Sequence, residues 1–210
     1  MPRSAAQRAL TISAGHLKGA TLYVPASDKL RPTLAQVRLA ICNIWQTLIP
    51  GATLIDGFAG SGALGIEVWS RGASQVIAIE ADRRTGKHLE AEVTRIGKER
   101  DCLPDLQLGW HLRAGRVEDV ILKLVEEGIH ADLMVIDPPY GYDGLKALIR
   151  LIFDIGILRE GGELLVECAP RDLNRLPPTG DLHGAERIRE YRYGGTVLVR
   201  YQAGTSGGGE

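Results

Sequence analysis

The sequence has 210 residues, of which 44% are hydrophobic, and its formal net charge is −1. This composition fits one domain with a core of ordinary size, and no run reaches the ~18 apolar residues of a membrane-spanning helix. Three widely spaced cysteines and the lack of a signal-peptide pattern predict a reducing, cytoplasmic environment. The five histidines lack metal-ligand spacing, so we expect no metal.

The small net charge hides an uneven distribution along the chain. Residues 1–38 carry a local charge of +5, and the remaining residues sum to −6. A basic segment on an acidic body predicts an arm that faces nucleic acid, although a solvated basic terminus has the same composition. The basic residues of this segment are Arg3, Arg8, Lys18, Lys29, Arg31 and Arg38.

The N-terminal elements are predicted as a small extension. We expect residues 1–8 to be disordered, and residues 9–13 and 21–24 to pair as a hairpin across Gly15–Gly19. The segment Thr33-Leu34-Ala35-Gln36 fits a capping box, which predicts that a helix starts there.

Strands and helices then alternate along the chain. The apolar patterns predict strands at 53–55, 75–79, 106–113, 132–136 and 162–168, and helices at 62–70, 83–96, 117–127 and 144–155. Two further strands, 185–193 and 196–201, flank a hairpin signal at Gly194-Gly195. Parallel βα units closed by an antiparallel hairpin indicate an α/β, Rossmann-like sheet and argue against a dehydrogenase.

A glycine-rich turn follows the first of these parallel strands. The segment Gly60–Gly65 satisfies G-x-G-x-x-G, so a nicotinamide or flavin enzyme has to be considered. Glu80 ends the next strand and suits a ribose diol, which both kinds of cofactor carry. Asp56 precedes the turn, where its carboxylate would repel a diphosphate and attract an ammonium group. The pattern therefore favours S-adenosylmethionine.

The tetrapeptide Asp137-Pro138-Pro139-Tyr140 follows the apolar run Leu133–Ile136. Two prolines cannot continue a strand, because neither has an N–H to donate. They predict a stiff turn at the carboxyl end of a buried strand, where open α/β sheets bind ligands. A carboxylate, a free carbonyl and an aromatic ring at this turn suit a flat molecule with an amino group. A proline-rich loop with a capping aspartate is the alternative.

Together these segments resemble motifs of the class I S-adenosylmethionine-dependent amino-methyltransferases. The N-terminal segments Ile12–Gly15, Lys18-Gly19 and Leu30–Thr33, with Val37-Arg38 and Asn43, further resemble the RsmD family. The resemblance runs from about residue 10 to about residue 200, and it implies methylation of the N2 amine of one guanine in bacterial 16S ribosomal RNA. For the chain as a whole we expect a basic arm, hairpin and capped helix over 1–50, a methyltransferase domain over 51–203 and a flexible tail over 204–210.

The resemblance assigns three groups of site residues. The catalytic group is Asp137, Pro138, Pro139 and Tyr140. The S-adenosylmethionine site comprises Asp56, Phe58, Ala59, Gly60, Ser61, Gly62, Glu80, Ala81, Arg116 and Val117. RNA contacts are expected from Arg8, Lys18, Lys29, Arg31, Thr33 and Arg38.

One turn departs from the family pattern. Ala114-Gly115-Arg116-Val117 stands where relatives usually carry Asn or Asp followed by Ala, against the adenine of the cofactor. Arg116 could stack on that ring by a cation–π contact, but an arginine cannot accept a hydrogen bond from the exocyclic amine.

The expected protein is a monomeric RNA guanine-N2 methyltransferase acting on 16S ribosomal RNA, alone or in a small-subunit particle. Asp137 and the Pro138 carbonyl would orient the amine, while Tyr140 would stack on a base taken out of its helix. A DNA adenine-N6 enzyme stays open, although 210 residues leave no room for a separate target-recognition domain. A protein amide methyltransferase is disfavoured by Asp137, since those enzymes usually carry Asn there. A non-catalytic RNA-binding or assembly factor is the alternative of another class.

Overall fold

The computed structural model describes residues 7–25, 32–139, 141–182 and 184–204. Strands β1 (Gln7–Thr11) and β2 (Thr21–Pro25) pair antiparallel, which confirms the expected hairpin. Disorder was the wrong expectation for residues 7 and 8, because β1 already pairs there with the end of β2. The expected disorder of residues 1–6 and the expected flexible tail from residue 205 onward lie outside the described residues, while Gly204, the first residue of that predicted tail, donates its N–H to the Gly184 carbonyl.

Helix α1 (Pro32–Ile44) follows the hairpin. It already includes Thr33, so the helix starts earlier than the capping box predicts. Proline is suited to this first turn, because the missing N–H has no partner within the helix.

The central sheet has seven strands in the order β5-β4-β3-β6-β7-β9-β8. Strands β3 to β7 run parallel, while β9 pairs antiparallel with both β7 and β8. The strands are β3 (Thr53–Gly57), β4 (Gln75–Glu80), β5 (Trp110–Ala114), β6 (Ala131–Ile136), β7 (Leu158–Cys168), β8 (Ala185–Tyr193) and β9 (Thr196–Ala203). This topology confirms the α/β sheet closed by an antiparallel hairpin.

Helices cover both faces of the sheet. They are α2 (Ala63–Ser70), α3 (Arg83–Glu99), α4 (Leu103–Gly109), α5 (Val117–Glu126) and α6 (Leu145–Asp154), with short 3-10 helices at Pro170–Arg175 and Thr179–Asp181. Successive strand residues enter opposite cores: Leu54 packs with the arm, α1 and α2, and Ile55 packs with α5 and α6. Continuous apolar strands are expected when both faces of a sheet are buried. None of the described helices is long and apolar enough to cross a membrane.

The predicted third strand is wrong in its first half. Residues 106–109 belong to α4, and β5 begins only at Trp110. The alternation of Leu106, Leu108 and Trp110 resembles a strand, yet Leu106 and Trp110 are buried while Leu108 is 76% exposed. The buried residues of α4 itself, Leu106 and Gly109, are three positions apart, which is the spacing of one helix face.

Strand β7 begins at Leu158, four residues before its predicted start. The pair Gly161-Gly162 suggests a turn, but the chain passes through it within the strand. Gly161 has a φ of +72°, and the pairing of β6 with β7 shifts register between Ala131 and Leu133. The glycines therefore accommodate an irregularity in the ladder.

The arm is attached to the sheet through Glu67 on α2, whose side chain is fully buried. Its carboxylate accepts hydrogen bonds from the backbone N–H groups of Ser13 and Ala14 and pairs with Arg71 at 2.9 Å. Burial opposes ionisation, but the hydrogen bonds from Ser13 and Arg71 outweigh it and lower the pKa of Glu67. The hairpin loop is thereby fixed on the same side of the sheet as α1 and α2.

Candidate active site

A cavity of about 310 Å³ opens at the carboxyl ends of β3, β6 and β7. Its outer wall is formed by the arm and α1, and its floor by the glycine-rich turn between β3 and α2. This volume lies at the lower end of the range of ~300 to 1,000 Å³ for ligand pockets. The arm is therefore part of the site, and three strand ends contribute a carboxylate each: Asp56, Asp137 and Glu167.

Asp56 lies in β3, one residue before the strand ends at Gly57 and the turn begins. It is 5% exposed, and its Oδ2 atom has no hydrogen-bond partner. Burial raises its pKa to about 7; the backbone N–H of Gly65 opposes the rise, while Asp137 and Glu80 add to it. A buried acceptor without a partner costs free energy, so this carboxylate is arranged for a ligand that brings a positive charge or hydrogen-bond donors.

The turn after Asp56 has an unusual backbone. Phe58 has a φ of +71°, Gly60 of +53° and Gly62 of +71°. A Cβ on Gly60 would meet only the Phe58 carbonyl, at 3.8 Å, whereas one on Gly62 would lie 2.2 Å from Leu89. Gly60 thus leaves its backbone open to a ligand, and Gly62 allows α2 to pack on α3. Of the residues expected here, Phe58, Ala59, Gly60 and Ser61 line the cavity, and Gly62 does not.

Glu80 stands behind the turn at the end of β4. Its carboxylate accepts a hydrogen bond from the Gly60 backbone N–H at 2.9 Å and another from Asp82 at 2.8 Å. The side chain is half-buried, and Ala81 beside it is exposed. Glu80 is close enough to Asp56 to raise the pKa of that group. The two acids expected to hold a cofactor therefore lie at adjacent strand ends.

The turn after β5 places its two predicted residues differently. Val117 is buried beneath the glycine turn. A Cβ placed on Gly57 would lie 3.4 Å from the Cγ1 atom of Val117. The Arg116 side chain is 70% exposed and pairs with Glu118 at 3.3 Å. An exposed pair of this kind contributes ~0 to 1 kcal/mol, so it leaves the guanidinium able to move. The contact between Arg116 and an adenine stays a prediction.

Asp137 follows β6, lines the cavity and is exposed to solvent. The surrounding protein desolvates the carboxyl group and raises its pKa to about 6. Pro138 and Pro139 form the turn behind it, as expected, and Tyr140 lies outside the described residues. The predicted stacking of Tyr140 on a base stays a prediction.

Tyr142 supports this turn and escaped sequence analysis. Its backbone N–H donates to the Pro139 carbonyl at 3.1 Å, and its ring meets Phe58 edge-on at 5.3 Å. Its hydroxyl donates to Glu118, which lies on α5. The aromatic residue therefore connects the proline turn, the glycine turn and α5. A second tyrosine two residues after the tetrapeptide was the available signal.

Glu167 was also missed. It lies near the end of β7 and lines the cavity together with Asp137. It is a single acid within the apolar run Leu164–Cys168. Such a residue in a strand that is otherwise buried is the signal that could have identified it.

The basic residues of the arm divide into three groups. Arg8 and Arg38 line the cavity, and Lys18 is exposed on the hairpin loop. Arg38 is only 9% exposed; its Nη2 donates to the Thr11 carbonyl at 3.1 Å, and its Nε lies 3.9 Å from Glu67. Arg38 therefore also ties the arm to α2. The expected RNA contacts from Lys29, Arg31 and the Thr33 side chain lie outside what the structure describes.

The described residues include no group of three or more His, Cys, Asp or Glu side chains that could hold a metal ion.

The sequence has relatives along almost its whole length. The family model "Conserved hypothetical protein 95" matches residues 10–202. Ribosomal RNA small subunit methyltransferase D of Escherichia coli is 30% identical over 187 residues, which cover 87% of this chain and 86% of that protein. The protein of the same name from Haemophilus influenzae is 28% identical and covers 74% and 77%.

Solved structures agree on the fold. A candidate methyltransferase from Escherichia coli superposes with a TM-score of 0.76 at 24% identity, covering 95% of this chain and all of that one. A candidate methyltransferase solved in complex with SAH superposes with a TM-score of 0.67 at 14% identity and covers 96% of this chain and 57% of that one. With the family model matching 10–202, this chain belongs to the RsmD family of class I methyltransferases.

Proposed function

We propose that this protein transfers a methyl group from S-adenosylmethionine to the exocyclic N2 amine of a guanine in bacterial 16S ribosomal RNA. The observation that carries the proposal is that Asp56, suited to a cation, and Asp137, suited to an amine, face one cavity. The substrate class is supported by the names of the Escherichia coli and Haemophilus influenzae relatives.

The residues present fit the cofactor. The unpartnered Oδ2 of Asp56 would accept hydrogen bonds from the ammonium of the methionyl group, and this positive charge would favour the ionised carboxylate. Glu80 retains acceptor capacity for a ribose diol beyond its two backbone hydrogen bonds. Gly60 would allow close approach of the ligand to the backbone. When bound, S-adenosylmethionine supplies an electrophilic methyl group on a sulfonium.

Asp137 binds and orients the amine that receives the methyl group. The lone pair of a guanine N2 amine is delocalised into the ring, which makes the amine a weak nucleophile. Asp137 and the Pro138 carbonyl accept its two N–H bonds and hold the lone pair towards the methyl donor. Such positioning contributes up to ~7 to 11 kcal/mol of barrier reduction. Asp137 would accept the proton that the nitrogen loses on taking the methyl group and pass it to water, while the electron pair of the broken methyl–sulfur bond would stay on sulfur.

The arm supplies the proposed RNA contacts. Arg8 and Arg38 line the cavity and would contact a phosphate of the target nucleotide, and the exposed Lys18 would contact a phosphate further out. Tyr140 would stack on the target base. We propose that the protein acts as a monomer in the cytoplasm, on 16S ribosomal RNA alone or in a small-subunit particle.

The test is mass mapping of methylated nucleosides in ribosomal RNA from a strain that lacks the gene. We expect one N2-methylguanosine of 16S RNA to disappear and to return with the wild-type gene, but not with Asp137→Ala. Unchanged ribosomal RNA together with lost N6-methyladenine in DNA would replace this proposal by the adenine-N6 enzyme. No change in either nucleic acid, with no S-adenosylmethionine binding by calorimetry, would favour a non-catalytic RNA-binding or assembly factor.

A further inference from the structure

A second carboxylate stands beside Asp137, and the established family membership does not assign it a role. Strand β6 pairs in parallel with β7 through Ile136 and Val166, so the residues that follow, Asp137 and Glu167, are lateral neighbours. Residues opposite each other on paired strands project to the same face. Both side chains accordingly line the same cavity.

Glu167 lies beside the C-terminal hairpin. Thr196 at the start of β9 is buried, and its side chain interacts with the Glu167 carboxylate and opposes the rise in its pKa that burial causes. Desolvation raises the pKa of Glu167 to about 8, and the neighbouring charge of Asp137 adds to the rise. Two neighbouring carboxylates repel each other when both are ionised, which destabilises the folded protein. The arrangement therefore does not stabilise the fold. The pair suits a ligand that presents two donors in a row.

The Watson–Crick edge of guanine presents such a pair of donors. Its N1–H lies next to its N2 amine, whereas the amine of adenine lies next to N1, which accepts hydrogen bonds. We propose that Glu167 accepts the N1–H of the target guanine while Asp137 accepts the N2 amine, so that the two acids together select guanine. This inference rests on the proposed function and names the group that reads the base.

Binding of a guanine would offset the unfavourable charge of the Glu167 carboxylate. An N1–H donor facing Glu167 stabilises its ionised form, which burial and Asp137 oppose in the free protein. A base with an acceptor at N1 would instead leave two acceptors facing each other. A site that hydrogen-bonds a particular group of its substrate discriminates strongly against an analogue that lacks this group. The discrimination is larger than that of an apolar pocket between substrates of different size.

The test replaces the target guanine by 2-aminopurine, which keeps the N2 amine but has no N1–H. Two 16S RNAs are prepared by ligation, one with guanine and one with 2-aminopurine at the mapped position. Each RNA is assayed as a substrate of the wild-type protein and of Glu167→Gln. The assay is run above pH 8, because burial raises the pKa of Glu167 to about 8 and a higher pH favours its ionised form. We expect wild type to prefer guanine by ~100-fold or more in kcat/KM. We expect Glu167→Gln, whose amide can donate to N1, to reduce this preference at least tenfold.

Two further variants separate this role from a structural one. Glu160→Gln makes the same change on the exposed part of β7 and should leave the preference at the wild-type value. Thr196→Val removes the hydroxyl that interacts with Glu167 and should reduce the preference in the same direction, even if Glu167→Gln fails to fold. S-adenosylmethionine affinity, measured by calorimetry, should be unchanged in Glu167→Gln.

An unchanged preference in folded Glu167→Gln, or in Thr196→Val if only that variant folds, would overturn the assignment of Glu167. A wild-type protein that accepts both bases equally would do the same. Failure of the proposed function is a different result, because wild type would then leave the guanine-containing RNA unmethylated as well.

Discussion

The carboxylate of Glu80 accepts a hydrogen bond from the Gly60 backbone N–H at 2.9 Å, which joins the end of β4 to the glycine-rich turn. Gly60 is also the turn residue with open space above its backbone. The acid expected to bind a ribose therefore also holds the backbone over which the cofactor would lie. A change at Glu80 acts on both.

Replacing Glu80 by alanine should weaken S-adenosylmethionine binding by about 1.5 to 3 kcal/mol, the range for hydrogen bonds to a charged group. Calorimetry measures the affinity, and Glu126→Ala, an exposed acid on α5, is the matched control. Normal affinity in a folded Glu80→Ala protein would remove Glu80 from the cofactor site.

Replacing Asp137 by alanine should leave cofactor binding intact and lower the single-turnover rate by ~100-fold or more, as for other preorganised polar groups at reacting centres. The reason is that Asp137 lines the cavity after β6 as the proposed acceptor of the amine, while the proposed cofactor ligands Asp56 and Glu80 lie at the ends of β3 and β4. Rapid-quench measurement of methyl transfer gives the rate. A near-normal rate would exclude Asp137 as the acceptor of the amine.

Replacing Asp56 by asparagine should change the pH dependence of stability. Its pKa is raised from 3.8 to about 7, so the folded protein binds this proton more tightly than the unfolded chain does. The free energy of unfolding therefore falls as pH rises from about 3.8 to about 7, by about 4 kcal/mol for a shift of this size. Asp56→Asn should remove this fall and make the cofactor-free protein more stable above pH 7, as urea unfolding at several pH values would measure.

The same substitution should weaken S-adenosylmethionine binding, because asparagine carries no charge for the ammonium. A variant that is both more stable and weaker in binding is the expected result. If the pH slope of unfolding stays at its wild-type value, the unpartnered carboxylate is not the origin of the instability.

Replacing Glu67 by glutamine should cost about 3 to 5 kcal/mol of stability, since it leaves the buried partners of a charge incompletely paired. The lowered pKa means that this contribution is present above about pH 4.5 and is lost as pH falls through the folded value. Urea unfolding of Glu67→Gln, with Glu126→Gln as the exposed control, tests both statements. Equal stability of the two variants at neutral pH would contradict the role of Glu67 in holding the arm.

Replacing Lys18 and Lys29 by alanine should weaken binding to RNA of any sequence. For every phosphate of single-stranded RNA that the variant no longer neutralises, the salt slope of the association constant should fall by ~0.7. Lys18 is exposed on the hairpin loop, away from the strand-end carboxylates. Filter binding over a range of salt concentrations measures the slope, and an unchanged slope would show that the arm does not bind phosphates through these lysines.

The sequence by itself determined the order of the main strands and helices and the two principal turns. Apolar runs such as Leu133–Ile136, glycines at 60 and 62, and two adjacent prolines restrict the backbone locally, so they can be interpreted without the fold. The same local reasoning was wrong at 106–109, because whether Leu108 is buried depends on what packs against it.

Only the tertiary structure decided which side chains meet. Glu167 joins Asp137 through the register of two strands whose residues are about 30 positions apart in the chain. Glu67 looks like an ordinary helical acid in the sequence, and it becomes the anchor of the arm only when Ser13 lies beside it. Burial and charge–charge contacts depend on distances across the fold, and these contacts set the pKa values and the polar partners that distinguish the site.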